Sequence, residues 1–400
     1  MGRVAGCVRA VSSAFGMKSR PNVALIVETS VVYGRQILHG VARYLRGQKG
    51  WSVFLDEREL EAPPPDWLLN WDGDGIICRP TTPALAQVLL KRGLPVVDLN
   101  DRYGFLGLPR IGSDMVAIGR MGAEHLLERG FRHIAFCGFA GELWSQERCR
   151  GAQEAVMGRG KWCGAFESAR QGLREQAWQE ERDLVGEWLL GLPRPLGIVA
   201  CNDVRGHHVL DACRFLDIAV PETVAVVGVD NAPTFCELCS PPLSSVVPDA
   251  ERVGYEAAAL LDALMAGESG ADLDRRLAPV EVVARQSSDT LAIENSLVVE
   301  ALRFIREHAC EGISVEDVLA RLPMSRSSLE RSFRHHVGRS PQEEIRQVRF
   351  KRIKQLLGET DYTLERIAEL TGYEHAEYLM VQFKRLTGQT PSQWRKGAAR

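Results

Sequence analysis

The segment Ser328–Pro341, SLERSFRHHVGRSP, has a counterpart fifty residues later in Tyr378–Pro391, YLMVQFKRLTGQTP. Each copy places two apolar residues four positions apart, which puts them on one face of a helix. In each copy a glycine then ends the helix and a proline begins the next one. The repeat therefore predicts two similar helical units, related by the pairs Leu329 and Leu379, Phe333 and Phe383, Arg334 and Lys384, Gly338 and Gly388, Ser340 and Thr390, and Pro341 and Pro391.

Each unit is predicted to contain two helices. In the first unit Ser314 caps a helix that Pro323 ends, and Ser325 caps the second helix. The second unit has its turn at Gly372. The predicted buried residues are Val315, Val318, Leu319, Leu322, Leu329 and Phe333 in the first unit, and Leu364, Ile367, Ala368, Leu379, Met380 and Phe383 in the second.

One long helix, Pro341 to Leu357, is predicted between the two units because this segment has no internal Gly or Pro. At 1.5 Å per residue it would be about 25 Å long, which suits two helices placed in successive major grooves about 34 Å apart. Nine Lys or Arg against three Glu between Arg326 and Lys354 can neutralise phosphates. The alternative is the solvated basic face of an ordinary helical bundle.

The segment from Leu297 to Arg400, with its GQTPSQWR ending, resembles the DNA-binding domain of the AraC/XylS-type transcription regulators. The resemblance implies that the first part of each second helix faces the bases. The predicted DNA contacts are Arg326, Ser327, Glu330, Arg331 and Arg334 in the first unit, and Ala376, Glu377, Met380 and Lys384 in the second. The second set lacks the Arg or Gln that makes bidentate base contacts. Specificity is therefore expected to rest mainly on the first unit.

The charge of the chain is unevenly distributed. The net charge of −3 divides into +3 for residues 290–400 and −6 for the remainder, which fits a sensor attached to a DNA-binding domain. No apolar run is long enough to span a membrane. The ten cysteines include one CxxC pair, Cys236 and Cys239, without further ligands at metal spacing. We expect reduced thiols, no metal and no cofactor.

Residues 21–288 alternate eight short β-rich runs with helical patterns, which predicts two α/β lobes with a cleft between them. The predicted strands are residues 23–27, 52–55, 75–78, 96–99, 134–137, 197–200, 224–229 and 244–247. Residues 1–20 are expected to form a disordered extension, with Met17 as a possible alternative start. Residues 289–296 form a short polar linker, and residues 297–400 the all-α double helix-turn-helix domain. The usual sequence motifs of nucleotide binders and hydrolases are missing, so no enzyme is predicted.

Polar residues follow several of the predicted strands, where open α/β sheets bind ligands. They suit a small neutral ligand and include Glu28, Thr29, Ser30, Asp98, Asn100, Asn202, Asp203, Asp230 and Asn231.

The segment Gly197–Asn231, followed by PPLSSV, is similar to the type I ligand domain of LacI-type repressors and periplasmic sugar-binding proteins. Joined to an AraC-type domain, it resembles the XylR-type xylose-operon regulators. The resemblance implies a cytoplasmic, nucleoid-associated homodimer that binds DNA, responds to xylose or another monosaccharide and activates transcription with RNA polymerase. It nominates as effector contacts Arg35, Trp144, Arg148, Asp203, Asp230 and Asn231.

Each of these assignments has an alternative. Asp203 or Asn202 can cap a helix, and Asp230 can be a turn residue. Arg148 can pair with Glu147 or Glu154, and Trp144 can belong to the hinge. Ser113 and Asp114 are expected to cap the helix that follows them. The alternative function is a sugar-binding or sugar-acting protein whose C-terminal helices contact other proteins.

Overall fold

The computed structural model describes residues 20–47, 50–56, 59, 62–169, 175–268, 273–289, 293 and 295–398. The predicted disordered extension, apart from its last residue, lies outside this part of the chain.

Lobe 1 is built on a six-stranded sheet in the order β11-β5-β4-β3-β1-β2. All of its strand pairs are parallel. Helices α1 (Val32–Arg46) and α8 (Ala250–Met265) contribute to one apolar core, and α2 (Pro83–Arg92) contributes to another. The strands are β1 (Asn22–Ile26), β2 (Ser52–Leu55), β3 (Gly75–Cys78), β4 (Val96–Asp98), β5 (Arg110–Ser113) and β11 (Asp274–Leu277).

Lobe 2 is built on a second six-stranded sheet in the order β12-β10-β9-β8-β6-β7, in which only the β10–β12 pair is antiparallel among the described strands. The strands are β6 (His133–Phe139), β7 (Lys161–Ser168), β8 (Leu196–Ala200), β9 (Val224–Val229), β10 (Ser244–Val247) and β12 (Glu281–Val283). The helices are α3 (Met115–Glu128), α4 (Leu143–Val156), α5 (Glu175–Leu190), α6 (Asp203–Phe215) and α7 (Pro233–Leu238).

The apolar sequences of the strands explain why helices cover both faces of each sheet. Every residue of β9, VAVVGV, is buried, as expected for a parallel strand covered by helices on both faces. The chain passes between the lobes three times, after Ser113, Val247 and Leu277. The predicted two-lobed fold is confirmed, and all eight predicted strands are present. Strands β5, β7, β11 and β12 were not predicted.

The C-terminal helical region has two apolar clusters joined by one long helix. Helix α12 (Pro341–Glu359) contributes Ile345 to the first cluster and Ile353 to the second. It extends two residues beyond the predicted end. The other helices are α9 (Ser296–His308), α10 (Val315–Leu319), α11 (Arg326–His336), α13 (Leu364–Leu370), α14 (Ala376–Thr387) and α15 (Pro391–Ala398).

The predicted helix ends are found in this region. Ser314 and Ser325 accept backbone N–H hydrogen bonds as caps, and Gly372 has a φ of 71° that favours glycine. One expectation was wrong. Met380, predicted on the buried side of α14, is 39% exposed. Leu379 and Phe383 four positions apart already fill the buried face, and Met380 is rotated by 100° from Leu379.

The C-terminal helical region contacts lobe 2 away from the cleft. Arg306 on α9 forms an ion pair with Glu222, which is 1% exposed, and Arg303 contacts Asp217 at 2.7 Å between Nη1 and Oδ1. Both acidic residues precede β9. Of the predicted linker, residues 290–292 and 294 lie outside the described part. Asn295 caps α9.

Candidate functional site

The loops that follow strands of both sheets line one cavity of about 720 Å³ between the lobes. Lobe 1 contributes the loop after β1 and the start of α1. Lobe 2 contributes α4, the start of α6 and the loop after β9. This volume is in the range of small-molecule sites.

Arg79 is the central charged group of the lobe 1 wall. Its guanidinium contacts Glu28, and its Nη2 lies 2.6 Å from Asp101 Oδ2. It also lies over the ring of Tyr33, 4.9 Å from the centroid. Burial acts to lower the pKa of Arg79, but the carboxylates of Asp101 and Glu28 raise it above its ordinary value. The arginine therefore stays charged although it is largely buried.

Arg148 occupies the corresponding position in the lobe 2 wall. Its Nη1 donates to the carbonyl of Cys201, and its Nη2 lies 3.7 Å from Asp230 Oδ1. The guanidinium lies over the ring of Trp144 at 5.0 Å, and Trp144 Nε1 donates to Glu142. These contacts fix the direction of Arg148, so it is held in place before a ligand arrives.

The carboxylate of Asp203 is also held in place. It accepts hydrogen bonds from the backbone N–H of Ala232 at 2.8 Å and from Ser245 Oγ at 2.6 Å. Asn202, not Asp203, caps α6 by accepting from the N–H of Arg205. Burial, followed by the nearby charge of Asp230, raises the pKa of Asp203 to about 7.

Guanidinium and carboxylate side chains from both lobes line the cavity, namely Arg79 from lobe 1 and Arg148, Asp203 and Asp230 from lobe 2. The Nε atoms of Arg79 and Arg148 are buried and have no hydrogen-bond partner among the described residues, which is costly for a polar group. The lining guanidinium and carboxylate groups match the hydroxyl groups of a polyol, which both donate and accept hydrogen bonds.

One ion pair joins the two lobes at the cavity. Arg102 follows β4 of lobe 1, and its Nε lies 3.4 Å from Oε2 of Glu142 at the start of α4 in lobe 2. Glu142 also accepts from Trp144. Glu142 therefore connects Trp144, which lines the cavity, to Arg102 on the opposite lobe.

The predicted effector residues have different outcomes. Five of the six line the cavity, namely Arg35, Trp144, Arg148, Asp203 and Asp230. Arg35 is exposed and donates to the carbonyl of Thr29 at 2.7 Å. Asn231 is not part of the cavity lining. Its Oδ1 accepts from Arg285, because the turn after β9 directs consecutive side chains to different sides.

The alternatives are also decided by geometry. Arg148 is paired with Asp230 and not with Glu154, which pairs with Arg120. Asp114 caps α3 as expected, whereas the hydroxyl of Ser113 shares a hydrogen bond with Tyr33.

Sequence reasoning missed Arg79 and Asp101, and it used Glu28 only as one of several polar loop residues. Arg79 directly follows β3, and Asp101 lies three residues beyond the end of β4. The same strand-end signal that selected Asp230 could have found them. Asp98 and Asn100, which that signal did select, hydrogen-bond to each other and do not line the cavity.

The second candidate surface is formed by α11 and α14. On α11, Leu329 and Phe333 are buried, and the predicted contacts Arg326, Ser327, Arg331 and Arg334 are exposed, with Glu330 half-buried. On α14, Leu379 and Phe383 are buried, Glu377, Met380 and Lys384 are exposed, and Ala376 is half-buried. Arg326 is paired with Glu316 and Glu330. Arg331 forms no ion pair with any residue that the structure describes.

The described residues contain no group of three His, Cys, Asp or Glu residues that could hold a metal ion. Cys236 and Cys239 are buried in the core of lobe 2. No helix in this part of the chain is long and apolar enough to cross a membrane.

The chain is similar to known proteins over most of its length. Residues 22–105 match the family model of the XylR N-terminal domain, residues 123–288 the periplasmic binding protein-like domain, and residues 318–397 a helix-turn-helix domain. The xylose operon regulatory protein of Escherichia coli K12 is 32% identical over 385 residues, which cover 94% of this chain and 97% of that protein. The chain belongs to the xylose operon regulatory protein family.

Two further similar proteins support this family assignment. The Haemophilus influenzae protein is 32% identical over 93% of this chain and 97% of its own length. A solved structure described as the xylose-binding transcription activator XylR is 30% identical, with a TM-score of 0.78 over 95% of this chain and 98% of that one. The prediction of a sugar-responsive DNA-binding regulator, and not an enzyme, is confirmed.

Proposed function

We propose that this regulator is controlled by a pentose, with xylose as the first candidate, bound between the lobes by Arg35, Arg79, Trp144, Arg148, Asp203 and Asp230. The convergence of Arg79 from lobe 1 with Arg148, Asp203 and Asp230 from lobe 2 on one cavity carries this proposal. Hydrogen bonds that involve a charged partner contribute about 1.5 to 3 kcal/mol each. An uncharged polyol also fits better than an anion, because acidic groups lie beside both arginines.

A binding screen tests the ligand. Full-length protein is titrated calorimetrically with pentoses, hexoses and uronic acids, and thermal shifts provide a second readout because a ligand of the native state raises its stability. Arg148→Met should lower pentose affinity about 10- to 150-fold, the equivalent of one charged hydrogen bond. Arg120→Ala, which removes an exposed ion pair outside the cavity, is the control. Equal affinity of the Arg148→Met and Arg120→Ala proteins would contradict the assignment.

The proposed domain organisation is an effector-binding domain at residues 21–288, a linker at 289–296 and a DNA-binding domain at 297–400. The DNA contacts proposed from α11 are Arg326, Ser327, Glu330, Arg331 and Arg334, and those from α14 are Ala376, Glu377, Met380 and Lys384. The exposure of most of these side chains supports the proposal.

The regulator is proposed to act in the cytoplasm, at the nucleoid, as a homodimer that activates transcription by contacting RNA polymerase. Effector binding closes the lobes and alters how the two protomers place their helix-turn-helix units, so the effector must favour one of two states. The position of the C-terminal helical region supports this coupling, since two ion pairs attach that region to lobe 2. Sedimentation tests the dimer. In vitro transcription with purified polymerase, with and without the effector, tests activation, and an operator affinity unchanged by saturating effector would contradict the coupling.

A further inference from the structure

The two helix-turn-helix units have matching buried faces and different exposed faces. Leu329 and Phe333 of α11 correspond to Leu379 and Phe383 of α14, and all four side chains are buried. The same fifty-residue offset therefore aligns the exposed positions. It places Val381 at the position of Arg331.

The exposed face of α14 carries a valine and a tyrosine where that of α11 carries polar residues. Val381 is 63% exposed and Tyr378, three positions earlier on the same side of the helix, is 60% exposed. The corresponding residues of α11 are Arg331 and Ser328. Valine is a poorer helix former than Ala, Lys, Arg or Gln, and an exposed valine gains nothing from burial in the fold. Val381 therefore contributes little to the stability of its own helix.

This face lies where DNA is expected. Lys384 and Arg385 are exposed on the next turn of α14 and can contact phosphates. The base-facing position equivalent to that of Arg331 then carries an apolar side chain. In the major groove, the apolar group that such a side chain can recognise is the C5 methyl of thymine.

We propose that α14 recognises thymine through a contact between Val381 and the thymine methyl group, with Tyr378 completing the apolar surface. The first unit would then select bases by hydrogen bonds from Arg331, and the second by methyl contacts. The inference rests on the DNA-binding function of the chain and assigns the base that the second unit selects.

The test uses an operator selected from random-sequence DNA by the full-length protein. Each thymine of that operator is replaced singly by deoxyuridine, which removes only the methyl group and keeps base pairing. At one or two positions contacted by α14, the replacement should weaken binding about fourfold, as expected for one methyl group. Val381→Ala should weaken binding to the thymine operator by a similar factor and should not respond to deoxyuridine at those positions.

Arg331→Ala is the matched control, because it alters the equivalent position of the other unit. The Arg331→Ala protein should bind the operator more weakly. Its affinity should still fall when deoxyuridine replaces thymine at the positions contacted by α14, which form the second half-site. Circular dichroism should show unchanged helix content for both variants, since both side chains are exposed. The proposal is overturned if no thymine replacement in the second half-site changes wild-type affinity, or if Val381→Ala keeps the wild-type response. Failure to select any DNA sequence would instead reject the regulator function itself, and the inference with it.

Discussion

Arginine residues in the cavity between the lobes and on helix α11 occupy opposite environments. The Arg148 side chain is 4% exposed and is held by Cys201 and Asp230, whereas Arg331 is exposed and unpaired among the described residues. A buried arginine is part of the charge balance of the fold, while an exposed one is available to a partner. Substitution of a buried arginine in the cleft should therefore lower the stability of the fold as well as affecting ligand binding. Substitution of the exposed arginine on the helix should affect DNA binding.

Arg79→Ala should have the largest effect. It leaves Glu28 and Asp101 without their counter-charge in a buried site, and breaking a buried ion pair costs about 3 to 5 kcal/mol. Urea denaturation should show this loss in the free energy of unfolding. Arg331→Ala should stay within about 0.5 kcal/mol of wild type. If both variants unfold at the wild-type midpoint, the contrast between the two environments is wrong.

Arg331→Ala should affect DNA binding and leave folding nearly unchanged. Loss of a base contact should cost about 1 to 3 kcal/mol of operator binding and relax specificity at one position. Fluorescence anisotropy with the selected operator and its single-base variants measures both. An equal loss on operator and on unrelated DNA would assign Arg331 to phosphate binding instead.

Asp203, in the cavity wall, makes the free energy of unfolding of the protein depend on pH. Its pKa is raised to about 7 by burial and by Asp230, against about 3.9 in the unfolded chain. Between these two pH values Asp203 is protonated in the native state and ionised in the unfolded state. Its contribution to the free energy of unfolding is therefore complete below about pH 4 and is lost as the pH rises to about 7. Relative to Asp203→Asn, wild type should lose up to about 1.4 kcal/mol per pH unit in this range and level off above it. Parallel curves for the two proteins in urea denaturation from pH 4.5 to 8 would contradict the prediction.

Lys384→Ala should have the smallest effect, because an exposed phosphate contact carries no sequence information. Affinity should fall by a similar factor on all DNA sequences. The slope of log affinity against log salt should become shallower by about 0.9. A loss confined to the operator would instead make Lys384 a base contact.

Much of the fold was predictable because its patterns are local. The buried run of β9 and the caps Ser314 and Ser325 can be read from neighbouring residues alone. Strand β11, with the sequence DRRL, was missed because its pairing with β5 depends on a segment more than 150 residues away. Strand β12 was missed because its three residues are too few to show an alternating pattern.

The sites were less predictable because they depend on side-chain direction. Asn231 and Asp230 are adjacent in sequence, yet only Asp230 lines the cavity. Arg79 owes its place to Glu28 and Asp101, which are far from it in sequence. Helical periodicity placed Leu379 and Phe383 correctly and misplaced Met380, since the buried stripe is narrower than the apolar pattern.

The ion pair between Glu222 and Arg306 limits how freely the two parts of this chain can be recombined. Arg306 is 13% exposed at its side chain and lies against lobe 2. A chimaera that joins this C-terminal region to the effector-binding lobes of another regulator must supply an acidic group at the position of Glu222. Without it, the graft retains a buried cation at its seam, and sensors can be exchanged productively only between proteins that match at this contact.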